Sequence, residues 1–150
     1  MIDQPVRTGD IHLFVFDRGQ GGSAQEGLRP GVVFQNNVGN AHSPNVVALP
    51  ITSNLKRCEQ LTHVFLSSDD TGLNRDSVVL CENPKTFPMH RVGPYISTLP
   101  KHYLKEIAKA TILASGFIAY LEPDELLQLH KKAVWLNKYT QKASRGFGHV

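Results

Sequence analysis

Two residues at the ends of apolar runs carry the most pointed chemistry in the chain. Arg29 follows a glycine-rich stretch and directly precedes Pro30 and the run Gly31–Gln35, while Thr52, followed by Ser53, closes the run Val46–Ile51. A guanidinium offers a planar, permanently charged fork to phosphate oxygens, and a threonine hydroxyl adds an uncharged donor. At neighbouring strand ends the two could converge on one phosphate. Residue types alone favour a plainer reading, in which Arg29 is a surface ion-pair partner and Thr52 caps a turn, because isolated polar residues at strand ends are common. Gln35-Asn36-Asn37 closes its own run in the same way.

Other chemistries find little support. The seven histidines (His12, His42, His63, His90, His102, His130 and His149) show no paired spacing, and there is no Cys-x-x-Cys, so neither a metal site nor a cofactor is expected. A nucleophile elbow of the Gly-x-Ser-x-Gly type is missing. Cys58 lies in a polar stretch without a local activator. The glycines at 19–22 lack the Gly-Lys-Ser/Thr ending of a phosphate loop.

The elements that must position these residues read as β first and helix late. Strands are expected over Ile11–Phe16, Gly31–Gln35, Val46–Ile51, His63–Ser67 and Ser77–Cys81, with Pro50 suggesting an edge or bulge. Asn36–Pro44 reads as a turn-rich connection, and Asp69-Asp70-Thr71-Gly72 supplies turn chemistry. Five or six short strands at this spacing predict a small barrel. A helix is expected from Pro100, behind Ser97 or Thr98 as cap, with Leu104, Ile107, Ala108, Thr111, Ser115 and Ile118 on one face and Gly116 near its end. A second is expected from Pro123, with Leu126, Leu129, Ala133 and Leu136 at helical spacing and fraying from Ser144 to Val150. Phe16 and Phe87 are read as core residues ahead of base-stacking ones.

The chain has 150 residues, 41% of them apolar and 19% charged, the balance of one globular domain. Two cysteines are too few for a disulfide scaffold. No apolar run reaches the roughly 18 residues of a membrane span, and the first residues show no signal-peptide pattern. The expectation is a soluble, cytoplasmic protein with no membrane attachment. The net charge of +3 is uneven. Lys131, Lys132, Lys138, Lys142 and Arg145 stand in an acid-free tail from Leu126 onward, which leaves residues 1–125 at net −2. A nucleic-acid site in the body must therefore rest on a few placed cations.

A series of motifs makes the reading specific. Gly9-Asp10-Ile11, Gly22-Ser23-x-Gln25-x-Gly27-x-Arg29-Pro30, Val32-Val33-x-Gln35-Asn36, Asn40-x-x-Ser43-Pro44, Pro50-Ile51-Thr52-Ser53, Thr62-His63-Val64 and Arg75-Asp76-Ser77-Val78-Val79-Leu80-x-Glu82 follow in order, with Lys85-Thr86 and Arg91 beyond. Together they resemble the MazF/PemK family of toxin ribonucleases. The resemblance runs from about Gly9 to Leu121, so residues 1–121 are expected to form the family domain and 122–150 an added basic helix and tail. It implies a mainly β fold with C-terminal helices (α+β), an SH3-like small β-barrel that forms a homodimer. It also implies metal-independent, sequence-specific cleavage of single-stranded RNA by the toxin of a toxin–antitoxin pair, whose cognate antitoxin would be small and acidic.

By the same resemblance Arg29 and Thr52 are the catalytic residues. The substrate's 2′-OH would be the nucleophile, giving a cyclic 2′,3′-phosphate or 3′-phosphate and a 5′-OH. Ser23, Gln25, Gln35, Asn36, Ser53, Glu82 and Asn83 are candidates for reading RNA bases. The chain departs from the family where a glutamate is replaced by Ala24, a glycine by Glu26 and an aspartate by Asn37. The general base is therefore open between Glu26, His42 and His63. The same departures define an alternative, a catalytically weak or inactive barrel that binds RNA or an antitoxin-like partner. The segment after Leu121 is read as packing over Leu126–Leu136 and solvated charge beyond, with an RNA-holding arm as the other possibility.

Overall fold

The computed structural model describes residues 5–16, 27–57 and 60–147, with side chains to Lys138 apart from Arg57. Ser23, Ala24, Gln25, Glu26 and Cys58 lie outside these residues. The described elements run β1 (Asp10–Phe16), β2 (Gly27–Val33), α1 (Asn37–His42), β3 (Asn45–Thr52), β4 (His63–Leu66), β5 (Ser77–Leu80), β6 (Lys85–Pro88), β7 (Val92–Thr98), α2 (Lys101–Ala114) and α3 (Pro123–Phe147). All strand pairs are antiparallel, in the order β4-β5-β3-β2-β1-β7 with β6 beside β3. The sheet curls into a barrel-like shape whose end strands β4 and β7 do not pair with each other.

Strand β3 is the pivot. One side pairs with β2, while the other pairs first with β6 (Ala48 opposite Lys85) and then with β5 (Ile51 opposite Val79). Pro50 falls between those two partners, where a missing N–H removes no ladder bond. It is neither on an edge strand nor at a register shift. The change of partner also divides the core. Val46 and Ala48 pack with Phe14, Phe16, Phe87 and Val92, whereas Leu49 and Ile51 pack with Ile11, Val32, Val64, Leu66 and Val79 beneath α2. Phe16 and Phe87 are core residues, their ring centroids 5.0 Å apart in an edge-on arrangement.

Several expectations are corrected. Among the described residues there are seven strands rather than five or six. The two extra ones, β6 and β7, contain Pro88 and Gly93-Pro94, which are tolerated at the sheet's end and margins. Strand β2 lies further forward than Gly31–Gln35, because Arg29 and Pro30 pair with Phe14 and Leu13 of β1. The expected turn after it holds α1, capped by Asn36, whose side chain accepts from the Gly39 N–H at 2.9 Å. Helix α2 has Pro100 at its cap position and no side-chain cap. The hydroxyls expected there serve elsewhere, Ser97 donating to the Thr71 carbonyl and Thr98 to Asp10 at 2.8 Å.

The buried stripe of α2 is Tyr103, Ile107 and Ala110, turned from the expected face, so that Ala108 is exposed. Helix α3 begins at Pro123 as expected and continues past Ser144 to Phe147. It lies against α1, where the Asn37 amide donates to Asn137 at 3.4 Å. Leu129 and Leu136 remain about half exposed. Among the described residues, no helix is long and apolar enough to cross a membrane.

Candidate active site

Register places the first two residues. Gly31 of β2 pairs with Pro50 of β3, so continuing that register by two residues sets Arg29 across from Thr52. With side chains alternating at a period of two, they fall on the same face. Both are half-buried and line one open cleft of about 770 Å³. Ser53 and Asn54 continue the wall from β3, and Asn74, Arg75 and Ser77 close it from the loop entering β5. Thr52 Oγ1 accepts from the Asn54 N–H at 3.2 Å, which leaves the hydroxyl hydrogen available to a ligand.

The loop between β4 and β5 is pinned from two sides. The Tyr103 hydroxyl of α2 accepts from the Ser67 N–H at 3.1 Å and donates to Asp70 at 2.8 Å. The Thr71 hydroxyl donates to the Ser67 carbonyl at 2.7 Å, and its own carbonyl accepts from Ser97 of β7. Gly72 turns the chain with φ of +73°, and a Cβ there would stand 3.2 Å from the Ile96 side chain. Only glycine meets both demands comfortably. The Ser77 hydroxyl then donates to the Arg75 carbonyl at 2.8 Å.

Among the described residues the polar part of the cleft's lining is two guanidiniums, hydroxyls and amides, with no carboxylate, beside the apolar Leu13, Pro30, Ile51, Leu73 and Ile96. Such a lining suits an anion presenting several oxygens, a phosphodiester above all. Asp76, next in sequence to Arg75, is engaged elsewhere. Its carboxylate accepts from the Ser68 N–H at 2.8 Å and the Ser68 hydroxyl at 3.0 Å, and these bonds hold it below the ordinary carboxylate range. No group of three or more His, Cys, Asp or Glu side chains that could hold a metal occurs among the described residues.

The structure brings together Arg29, Thr52 and Ser53 from the sequence-derived set. Gln35 and Asn36 instead shape α1, Gln35 donating to the Asn45 carbonyl at 3.2 Å and Asn36 acting as the cap. Asn83 sits in the turn after β5, its N–H donating to the Leu80 carbonyl at 3.2 Å. Glu82 accepts from Thr62 at 2.7 Å and meets His63 Nε2 at 2.9 Å. Burial works to raise the Glu82 carboxyl, but the bonds from Thr62 and His63, a backbone hydrogen bond and the charge of His63 together outweigh it, and the net shift is downward. His63 is buried beside it, and His42 is exposed at the end of α1; neither lines the cleft. Asn54, Asn74, Arg75 and Ser77 are the lining residues that sequence reasoning does not single out. The available signal was a cation just before an apolar strand, as at Arg29.

Comparison with known proteins identifies the family. The profile of the PemK-like, MazF-like toxins of type II toxin–antitoxin systems matches residues 7–114. Endoribonuclease MazF of Staphylococcus saprophyticus subsp. saprophyticus is 33% identical over 111 residues, 74% of this chain and 92% of that protein. The Mycobacterium tuberculosis toxin MazF-mt6 superposes with a TM-score of 0.59 at 28% identity, covering 70% of this chain and 94% of its own. A chain of a MazE–MazF crystal structure from Deinococcus radiodurans gives 0.60 at 22% identity, over 74% of this chain and 96% of its own, a likeness of fold. The profile match spans every strand and α2, and so takes in Arg29, Thr52 and the loop that carries Arg75. The chain belongs to the family of PemK-like, MazF-like toxins of type II toxin–antitoxin systems.

Proposed function

We propose that this toxin is a sequence-specific endoribonuclease that cuts single-stranded RNA without a metal ion. The observation that carries the reading is the shared cleft, in which a guanidinium and a hydroxyl from adjacent strands line one solvent-open, carboxylate-poor surface. The substrate's 2′-OH loses its proton to a general base and its oxygen attacks the neighbouring phosphorus. The bond to the 5′-oxygen breaks, leaving a cyclic 2′,3′-phosphate that water can open to a 3′-phosphate, and a 5′-OH. Negative charge gathers on the phosphate oxygens in the transition state, where Arg29 donates to it from a fixed position. Arg29 is also in reach to supply a proton to the departing 5′-oxygen, an alkoxide basic enough to take one from a guanidinium. Thr52 orients the phosphate. DNA lacks the 2′-OH and resists.

Glu26 is the favoured general base, because it stands three positions before Arg29 in the sequence while His63 is committed to Glu82. Rate–pH profiles of Glu26→Gln, His42→Ala and His63→Ala test this choice: loss of the base abolishes the acidic limb in one variant alone. Ser53, on the cleft wall, reads the bases together with Ser23 and Gln25, whereas Gln35, Asn36, Glu82 and Asn83 lie outside the cleft and are not assigned that role; the groove is completed by a homodimer and covered by a small acidic antitoxin. The second reading, an RNA- or partner-binding barrel without cleavage, is motivated by Ala24 and Asn37, which stand where the family carries carboxylates. A library of short single-stranded RNAs incubated with the protein in EDTA separates the two. Cleavage at one short sequence is expected, and binding without cleavage favours the alternative.

A further inference from the structure

We propose that Arg75 holds a second phosphate of the RNA, one of the two flanking the scissile phosphate, and so sets how the strand is seated in the cleft; this rests on the RNA-cleaving reading of the same site. Arg75 reaches the cleft from the opposite wall to Arg29, on the loop before β5, with the Thr52 end of β3 between them. It is exposed, and among the described residues no carboxylate pairs with it. The nearest acid in sequence, Asp76, is turned to Ser68 by two hydrogen bonds and does not neutralise it.

The loop is built to hold this position. The Tyr103 hydroxyl fixes Ser67 and Asp70, Ser97 fixes Thr71, and Ser77 fixes the Arg75 carbonyl. A charged side chain on a clamped backbone loses less freedom on binding than one on a mobile loop. A guanidinium that bridges two phosphate oxygens adds orientation as well as attraction. One cation at the reacting phosphate and one at its neighbour would fix the strand's direction, which a single contact leaves open.

The test measures binding of an uncleavable RNA carrying a 2′-deoxy substitution at the scissile nucleotide, by fluorescence anisotropy across a salt series. Arg75→Ala is expected to weaken binding about tenfold or more, the scale of a lost charge-assisted hydrogen bond. It should also make the logarithmic salt dependence shallower by about 0.7, the value of one phosphate contact on a single strand. Arg75→Lys keeps the charge and should restore the salt slope, with part of the affinity. Replacing each flanking phosphate in turn by an uncharged methylphosphonate should weaken wild-type binding at one position and leave Arg75→Ala binding unmoved there. Equal losses in both proteins at both positions would overturn the proposal, as would an unchanged salt slope in Arg75→Ala. Wild-type protein that binds the RNA and shows this pattern, yet leaves ordinary RNA uncut, would refute the nuclease reading while the Arg75 contact stands.

Discussion

Arg29 and Thr52 share one cleft because β2 and β3 deliver them to one side of the sheet. In the proposed mechanism, removing the guanidinium takes away the donor to the charge that develops on the phosphate. Arg29→Ala should therefore lower the turnover rate by about a hundredfold or more, the scale of a lost oxyanion donor, with single-turnover cleavage of a labelled RNA as the measurement. Glu82 serves stability. Its carboxyl, although raised by burial, is drawn lower overall by Thr62 and His63. Its folded pKa lies below its unfolded one, so its contribution is fully present above the ordinary carboxylate range and is lost as pH falls through that range toward the folded value. Urea unfolding at stepped pH should show wild-type stability dropping on that acid limb, and Glu82→Gln should flatten it. That Arg29 and Thr52 belong to neighbouring strands was legible because each adjoins an apolar run and the surrounding motifs are specific. Arg75 was harder to see, since what commits it to the cleft is a clamp made by Tyr103, far along the chain from Ser67 and Asp70.

At the scale of elements, the apolar runs foretold β1, β3, β4 and β5 nearly to their ends, because strands buried on both faces are apolar throughout. Prolines and the scarcity of fully buried positions hid β6 and β7, and Gly39 hid α1. Helix α2 was foreseen, but its buried stripe depends on what lies beneath it. The Tyr103 ring and hydroxyl both face the loop and the core, a demand that periodicity alone does not carry. Tyr103→Phe removes both bonds of that hydroxyl and should cost about 1 kcal/mol, read as a lower denaturation midpoint. It should also loosen the Arg75 loop, seen as faster amide exchange at Ser67. Phe87 is fully buried, packing 4.8 Å from Phe14 and 5.0 Å from Phe16 between ring centroids. Phe87→Ala should cost about 3–5 kcal/mol and leave the protein largely unfolded at moderate urea.

Over the whole molecule, charge and function separate. The basic surplus sits on the C-terminal helix, whereas the proposed chemistry uses two arginines in a body of net −2. Helix α3 lies beyond the matched family region and rests on α1, with the lysines at 131, 132 and 138 exposed. Truncation after Leu121 should leave the barrel cooperatively folded and the salt dependence of RNA binding unchanged. A shallower dependence with folding intact would make this helix an RNA-holding arm instead. The central claim, metal-free cleavage through the Arg29–Thr52 cleft, meets its most direct test in one assay. Purified wild-type and Arg29→Ala proteins are incubated with single-stranded RNA in EDTA, and the fragment ends are read by mass spectrometry. Wild type should yield 2′,3′-cyclic or 3′-phosphate and 5′-OH ends, and the variant should fall behind by the factor given above. RNA left intact by wild type, 5′-phosphate ends, or equal rates for the two proteins would contradict it.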